Sequence, residues 1–245
     1  MDYRNTVEFS VKGDYALFSD PVTRVGGEKC TYHVPTYEAL KGILHSVYWK
    51  PTLIWYIDKV RIMKRIQTAN QNVRPIDYNS SANDLSIYTY LRDVHYQVKA
   101  HFDWNFNRPE LEHDRNEHKH HNVAKRMIER GGRRDVFLGT RECQGEVEPC
   151  VFGEGVGVYD ETLEVDFGYM FHGFTYADEA VREEEKGKLT ARFFRPTMKN
   201  GVVSFPMPEE CAEQNRRIIR DSSIKVFGEG NFIGADEFLE GGAGL

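Results

Sequence analysis

The chain has 245 residues, which is long enough for one large domain or two small ones with a sizeable core. Hydrophobic residues make up 40% of it and aromatic residues 13%, as in folded globular proteins, and it has no apolar run or charged-then-apolar N-terminus that predicts a membrane span or a secretory signal. Four cysteines without a C-x-x-C pair argue against a zinc ribbon and a disulfide framework, so we expect free thiols in a cytoplasmic protein with no membrane association.

The charge is unevenly distributed along the chain. The net charge of −6 argues by itself against nucleic-acid binding. Residues 1–145, however, carry 22 Lys and Arg against 18 Asp and Glu, whereas the remainder carries 10 against 20. Eight of the nine histidines also lie before residue 145. This asymmetry predicts one surface that faces a polyanion and another that faces solvent or a protein partner.

A strand and a helix are the first predicted elements. Apolar and polar residues alternate over 7–12, which predicts a half-buried strand. A loop over 20–29 carries Arg24 and Lys29 beside Gly26-Gly27. A helix begins near Pro35 and is bounded by Pro51. Its apolar stripe consists of Leu40, Ile43, Leu44 and Val47.

Three further segments follow before the next helix. Residues 52–62 are typical of a strand, and the polar residues 67–86 form either a loop or a hairpin tip. The clearest strand runs from Val94 to Trp104, with apolar side chains on one face. The opposite face is polar and suits either nucleic acid or solvent; it carries His95, Gln97, Lys99, His101 and Asp103.

The second helix and the strand after it complete a recognisable order. The helix runs from about Lys119 to Arg130 and ends at Gly131-Gly132, and a strand follows near 135–138. The order β, α, β, β, α, β is that of the ferredoxin-like arrangement, an antiparallel sheet with two helices on one face. We therefore predict an α+β fold for residues 1–145.

The remaining sequence predicts a smaller β-rich part. Alternation over 163–171 predicts a strand, and runs at 190–198 and 202–207 flank Lys199-Asn200-Gly201, which is a strong hairpin signal. We expect a small C-terminal antiparallel sheet over 146–208 and a tail over 209–245 with a frayed glycine-rich end.

A histidine–lysine cluster in the second helix carries the most suggestive chemistry. His118, Lys119, His120 and His121 follow Asp114-Arg-Asn-Glu, so Lys119 and His120 fall in or before the first turn, where free backbone N–H groups attract anions. RNA supplies its own 2′-hydroxyl nucleophile, so its cleavage needs only a base, an acid and a charge stabiliser, and histidine and lysine provide these. The alternatives are a cap or solvated histidine, and a metal site. Neighbouring helical residues diverge by about 100° and no H-x-x-x-H spacing occurs, which argues against the metal site.

Basic residues beside glycine turns suggest phosphate binding. Arg133 and Arg134 follow Gly131-Gly132, and Arg141 lies a few residues further on. Guanidinium groups can clamp phosphates, and glycine lets the backbone approach closely. We predict that several of Arg24, Lys29, Arg133, Arg134 and Arg141 contact RNA phosphates. The alternative at Arg133 and Arg134 is a helix cap with solvated side chains.

Taken together, these segments resemble one protein family over most of residues 5–175. The family is the CRISPR-associated proteins of family five, in the type I-C (Dvulg, subtype d) group. The matching segments are Gly13-Asp-Tyr-Ala-Leu-Phe, Pro35-Thr-Tyr-Glu-Ala-Leu-Lys-Gly, Tyr48-Trp-Lys-Pro, Asp93-Val-His-Tyr-Gln-Val-Lys-Ala-His-Phe, Asp114-Arg-Asn-Glu and Gly131-Gly-Arg-Arg-Asp-Val-Phe-Leu-Gly-Thr-Arg-Glu-Cys-Gln-Gly.

The resemblance implies an RNA-recognition-like fold of the repeat-associated (RAMP) superfamily with a small C-terminal sheet. It also implies a metal-independent endoribonuclease that cuts precursor CRISPR RNA at the base of the repeat hairpin, leaving a 2′,3′-cyclic phosphate and a 5′-hydroxyl. The implied partners are this hairpin, the 5′ handle of the mature guide, and the backbone and large subunits of the type I-C Cascade complex. No cofactor, metal or small-molecule substrate is implied.

The resemblance also implies the catalytic residues Tyr48, Lys119 and His120. The chemistry of the cluster suggested Lys119 and His120 independently, whereas residue patterns alone make Tyr48 a core aromatic at a helix end. His118 and His121 stay unassigned and leave open which imidazole is catalytic. Two alternatives remain: a non-catalytic scaffold subunit that binds the 5′ handle, and an unrelated metal-dependent phosphodiesterase built on the histidine cluster.

Overall fold

A computed structural model describes residues 5–74 and 85–224, which form a mixed α/β fold with mostly antiparallel sheets. The helices are α1 (Tyr37–Val47) and α2 (Glu117–Glu129). The strands are β1 (Val7–Ala16), β2 (Leu53–Ile62), β3 (Thr68–Val73), β4 (Ser86–Trp104), β5 (Val136–Phe137), β6 (Gln144–Pro149), β7 (Val165–Asp166), β8 (Met170–Thr175), β9 (Lys188–Phe194), β10 (Thr197–Lys199), β11 (Val202–Ser204) and β12 (Arg216–Asp221).

The described strands form two sheets. The larger has the order β5-β6-β1-β4-β2-β11-β10-β7, with β3 paired to the first half of β4. At its centre β1 pairs antiparallel with β4 and β6, and β4 pairs antiparallel with β2. The smaller sheet has the order β12-β9-β8. In the sequence, α1 follows β1 and α2 follows β4, so both helices connect strands of the central sheet.

Local signals fix the two helices. The Thr36 hydroxyl accepts a hydrogen bond from the Ala39 N–H at the start of α1, whose predicted apolar stripe is buried. At the end of α2, Gly131 and Gly132 have φ of 80° and 112°, and the Gly132 N–H donates to the Met127 carbonyl. Only glycine adopts such angles readily, so this pair ends the helix as predicted.

The long strand β4 has the predicted buried apolar face, but its polar face is less open to nucleic acid than the alternation suggested. Its apolar face is buried against the core, as the alternation indicates. Its polar face is partly covered: the Gln97 amide donates to the Glu154 carbonyl at 2.8 Å, and His101 Nδ1 lies 2.8 Å from Asp58. Both Gln97 and His101 are buried, so this face offers no continuous polar surface to nucleic acid at those positions.

Two of the three strands predicted after residue 160 are divided, and the third, at 202–207, is shortened to β11. The expected strand over 163–171 is wrong, because Gly168, with φ of 72°, separates β7 in the larger sheet from β8 in the smaller one. The run at 190–198 is likewise split at Pro196, between β9 and β10, because proline has no N–H to donate. The hairpin between β10 and β11 is confirmed, with Asn200 and Gly201 at φ of 48° and 76°.

The strand expected near 135–138 is only the two-residue β5 at the sheet edge. On the side of β1 opposite β4, the paired strand is β6. The predicted boundary after residue 145 falls inside β6. Strands β7, β10 and β11 also extend the larger sheet, so residues on both sides of that boundary share one sheet. Within the predicted tail, β12 pairs with β9, and the glycine-rich end lies outside the described residues. Among the helices that the structure describes, none has the length and hydropathy needed to cross a membrane.

Candidate active site

Tyr48 caps the C-terminal end of α1 and lies almost entirely inside the protein. Its N–H donates to the Leu44 carbonyl at 2.7 Å, and its own carbonyl accepts from Trp55 Nε1 on β2 at 2.8 Å. These bonds close the helix and turn the chain into an extended conformation before Pro51. The backbone of Tyr48 is therefore fixed by a hydrogen bond on each side, and the residue is only 5% exposed.

His120 comes from the first turn of α2 and meets Tyr48 inside the protein. The Asn116 side chain caps this helix by accepting from the Lys119 N–H at 3.0 Å. The imidazole is fully buried and packs edge-on against Trp104, with ring centroids 5.7 Å apart. Its Nδ1 lies 2.6 Å from the Tyr48 hydroxyl. A tyrosine and a histidine 72 positions apart thus form a buried hydrogen bond.

The hydrogen-bond partners assign the tautomer of His120. Its Nε2 lies 2.7 Å from the Asp114 carbonyl oxygen, which can only accept, so Nε2 carries a proton. In the neutral ring Nδ1 is then an acceptor, and the Tyr48 hydroxyl donates to it. Burial raises the pKa of Tyr48 to about 12, with the Asp114 charge adding to the rise and the Arg133 charge opposing it. Tyr48 is consequently a neutral donor at physiological pH.

Asp114 connects Lys119 to this pair. Its carboxylate forms an ion pair with the Lys119 ammonium, accepts from the Thr52 hydroxyl at 2.9 Å and lies 3.5 Å from His120 Nε2. Burial raises the pKa of Asp114, but the hydrogen bonds from Lys119 and Thr52 and the charge of Lys119 outweigh it, so the pKa lies below its ordinary value. The carboxylate is therefore ionised and holds Lys119 beside the buried pair.

The structure brings Tyr48, Lys119 and His120 together and separates the other histidines from them. His118 is exposed, and His121 Nε2 lies 2.9 Å from the Thr6 carbonyl. The ammonium-bearing side chain of Lys119 is 53% exposed, whereas His120 has no exposed surface. Lys119 is therefore the solvent-facing member of the three, whereas Tyr48 and His120 are buried.

Sequence reasoning did not single out several supporting residues. Asp114 lies in the Asp-Arg-Asn-Glu segment, and its position just before a capped helix was the available signal. Thr52 directly precedes β2, Trp55 lies near the start of that strand, after Leu53, and Trp104 ends the apolar face of β4. Their contacts with the site depend on strand pairing, which a single sequence does not specify.

The glycine turn after α2 positions two of the predicted basic residues. The N–H groups of Arg133 and Arg134 both donate to the Ser46 carbonyl in the last turn of α1, each at 3.1 Å. This places the turn beside Tyr48, whose pKa the Arg133 charge affects. Both arginine side chains are exposed. The turn is therefore a helix cap that also presents two cations next to the candidate site.

The other predicted basic residues lie elsewhere. Arg24 and Lys29 line a separate cleft at the start of α1, together with Gly139 and Thr140. Arg141 is exposed on the same turn as Thr140. In the part of the chain that the structure covers, no group of three or more His, Cys, Asp or Glu side chains is placed to hold a metal ion.

Comparisons with known proteins identify relatives along most of the chain. The Cas_Cas5d family model, described as CRISPR-associated protein (Cas_Cas5), matches residues 6–206. A protein of Mannheimia succiniciproducens named CRISPR pre-crRNA endoribonuclease Cas5d is 26% identical over 231 residues, covering 82% of this chain and 95% of that protein. A protein of the same name from Thermus thermophilus is 25% identical over 220 residues, covering 82% and 91%. Among solved structures, one described as a CRISPR-associated protein is 37% identical with a TM-score of 0.70, covering 84% of this chain and 94% of that one.

Proposed function

This chain belongs to the Cas5d family of CRISPR-associated proteins, and from that premise we propose that it is an endoribonuclease that cuts precursor CRISPR RNA. Two relatives that match it over most of their length carry the name CRISPR pre-crRNA endoribonuclease Cas5d. The observation that carries the proposal is the joined set of Tyr48, His120, Asp114 and Lys119. This set contains a proton donor, a proton acceptor and a cation that are joined by hydrogen bonds and an ion pair, and the Lys119 side chain among them is exposed.

The sheet order supports the finer assignment of the fold. The central strands have the order β6-β1-β4-β2, with α1 between β1 and β2 and α2 between β4 and β6. This matches the β, α, β, β, α, β order of a ferredoxin-like, RNA-recognition-like domain of the RAMP superfamily. Strands β3 and β5 are then additions to that plan. The division at residue 145 remains a proposal about folding units.

The proposed reaction uses the RNA's own 2′-hydroxyl. Its oxygen attacks the adjacent phosphorus, the bond to the 5′-oxygen breaks, and the products are a 2′,3′-cyclic phosphate and a 5′-hydroxyl. One proton leaves the 2′-hydroxyl and one reaches the leaving oxygen, so no water is consumed. The Lys119 ammonium lies at the rim of the site and would stabilise the negative charge that develops on the phosphate oxygens.

The hydrogen bond between Tyr48 and His120 gives the proton of the RNA 2′-hydroxyl a path into the protein. A tyrosine with a pKa of about 12 is a poor base alone. Because its hydroxyl donates to His120 Nδ1, it can accept the 2′-hydroxyl proton while passing its own to the imidazole. The resulting imidazolium is stabilised by the Asp114 carboxylate, 3.5 Å from Nε2. We propose that Tyr48 and His120 act as one proton-transferring unit, and that Tyr48, Lys119 and His120 are the catalytic residues.

The proposed substrate is the repeat hairpin of precursor CRISPR RNA, which is cut at its base. Tyrosine, histidine and lysine can perform each step of this reaction, so the proposal needs no cofactor, metal or small-molecule substrate. After cleavage the protein would stay on the 5′ handle within the type I-C Cascade complex, beside its backbone and large subunits. The proposed site of action is the cytoplasm, where the transcript is made.

Cleavage of a labelled repeat hairpin in excess EDTA tests this function. We expect single-turnover cutting in the chelator, with a 2′,3′-cyclic phosphate on the upstream product. Tight binding without cutting under any condition would favour the handle-binding scaffold. Cutting that requires an added divalent cation would favour a metal-dependent phosphodiesterase.

A further inference from the structure

A second cleft of about 620 Å³ combines aromatic rings with cations. Its wall is formed by β5, β8, the start of α1 and the loop after β1. The volume falls within the range of roughly 300–1,000 Å³ that is typical of small-molecule and cofactor sites. Among its lining side chains are three aromatic rings and two cations: Phe137, Phe171, Phe174, Arg24 and Lys29.

The aromatic wall is held rigidly and is still accessible. Phe171 and Phe174 pack against each other at a centroid distance of 4.9 Å, and both remain partly exposed. The Phe174 N–H donates to Glu38 Oε2 at 2.9 Å, which fixes β8 to α1. The rings therefore form a preformed surface on a strand rather than on a loop.

The cationic side of the cleft outweighs its one acid. Arg24 is exposed, and the Lys29 ammonium lies 4.9 Å from the centre of the Tyr88 ring, which orients it. The Glu38 carboxylate faces the same cleft, but it already accepts from the Phe174 N–H and from the Tyr176 hydroxyl. Lys29 also interacts electrostatically with Glu142, so the exposed Arg24 is the more available of the two cations for an anionic group.

The cleft adjoins the candidate active site along one helix. Gly42 of α1 lines the cleft, and Tyr48 lies six residues further, which is about 9 Å at 1.5 Å per residue. Nothing lies within 4 Å of the position that a Gly42 side chain would occupy. Between Gly42 and Tyr48, the Ser46 carbonyl holds the turn that carries Arg133. A chain of a few nucleotides can span an axial distance of this size, and the helix surface is open at Gly42.

We infer that this cleft binds one unpaired nucleotide of the RNA next to the cut, with its base on Phe171 and Phe174 and its phosphate at Arg24 and Lys29. The inference rests on the proposed function and adds a specific subsite to it. Aromatic platforms bind any base through its π-face, while nearby cations bind the backbone. A protein segment without acidic side chains in the same cleft would bury apolar surface but would leave both cations without an anionic partner.

Fluorescence of 2-aminopurine in the RNA tests the inference. The probe is the organism's own CRISPR repeat RNA, with 2′-deoxy nucleotides in its unpaired flank to prevent cutting and 2-aminopurine at one flanking position at a time. We expect quenching at one position with the wild-type protein, and its loss in the Phe171→Leu/Phe174→Leu double variant. The dissociation constant should rise about fivefold to 150-fold, as expected for a lost base–aromatic stack.

Two controls make the result decisive. Phe193→Leu changes a ring that packs against Phe171 from β9 but is not among the cleft residues, so it should leave quenching and affinity unchanged. An abasic site at the quenched position should weaken binding by the wild type and have little effect on the double variant. Unchanged quenching, or an abasic effect of equal size in both proteins, would overturn the inference.

The outcomes also separate the inference from the proposed function. If the wild type cuts the repeat hairpin and the double variant binds it with equal affinity, only the subsite is wrong. If that variant instead loses association with other protein subunits, a protein partner occupies the cleft and the inference is overturned. A wild type that neither binds nor cuts the RNA would overturn both.

Discussion

Replacing Tyr48 with phenylalanine removes a single oxygen from the candidate site. That hydroxyl donates to His120 Nδ1 at 2.6 Å, and both residues are buried. The phenylalanine ring keeps the packing, so the variant loses the proton path and little else. General acid–base catalysis contributes on the order of 10²–10⁴-fold, and we expect the single-turnover rate at saturating enzyme to fall by about that factor.

The same change leaves the buried Nδ1 without its donor. An unsatisfied buried acceptor costs about 1–3 kcal/mol, which should appear as a lower free energy of unfolding in urea. Tyr37→Phe is the matched control, since it removes the hydroxyl of another buried tyrosine in the same helix, one whose ring stacks on His172 rather than meeting His120. It should cut at the wild-type rate. A Tyr48→Phe protein that cuts within a few-fold of wild type would refute the proton path and return Tyr48 to the role of a core aromatic.

Three further predictions test the rest of the site. His120→Ala should lose most cleavage while keeping hairpin binding, whereas His118→Ala, at an exposed position, should keep both cleavage and binding; the reverse result would show that the register is wrong. Replacing Arg133 and Arg134 by alanine should flatten the slope of log affinity against log salt by about one to one and a half, since each single-strand phosphate contributes about 0.7; unaltered affinity and slope would make these arginines structural. Because the pKa of Asp114 is lowered in the folded state, its contribution to stability is present above the unfolded value near 4 and is lost as pH falls through the folded one. The difference in unfolding free energy between wild type and Asp114→Asn in urea should therefore shrink below about pH 4, and a constant difference would contradict the assignment.

Local patterns predicted the elements that position the site. Both helices, the strands β1, β2 and β4 and the hairpin at Asn200-Gly201 follow from periodicity and turn residues, which act over a few neighbours. The predictions fail where a strand's structure depends on pairing with residues that are distant in the sequence. Gly168 divides a clean alternation because the two halves pair with strands of different sheets, and β6 joins β1 across more than 130 residues. A single sequence contains no signal for either pairing.

Tyr48 illustrates the same limit inside the site itself. Residue patterns made it a buried aromatic at a helix end, and it is indeed only 5% exposed. The sequence pattern does not show that the Tyr48 hydroxyl faces Nδ1 of His120, which lies in another helix. Burial and chemistry are therefore not competing interpretations of this residue: excluding water from the Tyr48–His120 bond strengthens it electrostatically and keeps the proton between two defined atoms. In the proposed mechanism the exposed Lys119, held by Asp114, provides the charge that meets the substrate, and one carboxylate joins this solvent-facing cation to the buried Tyr48–His120 pair.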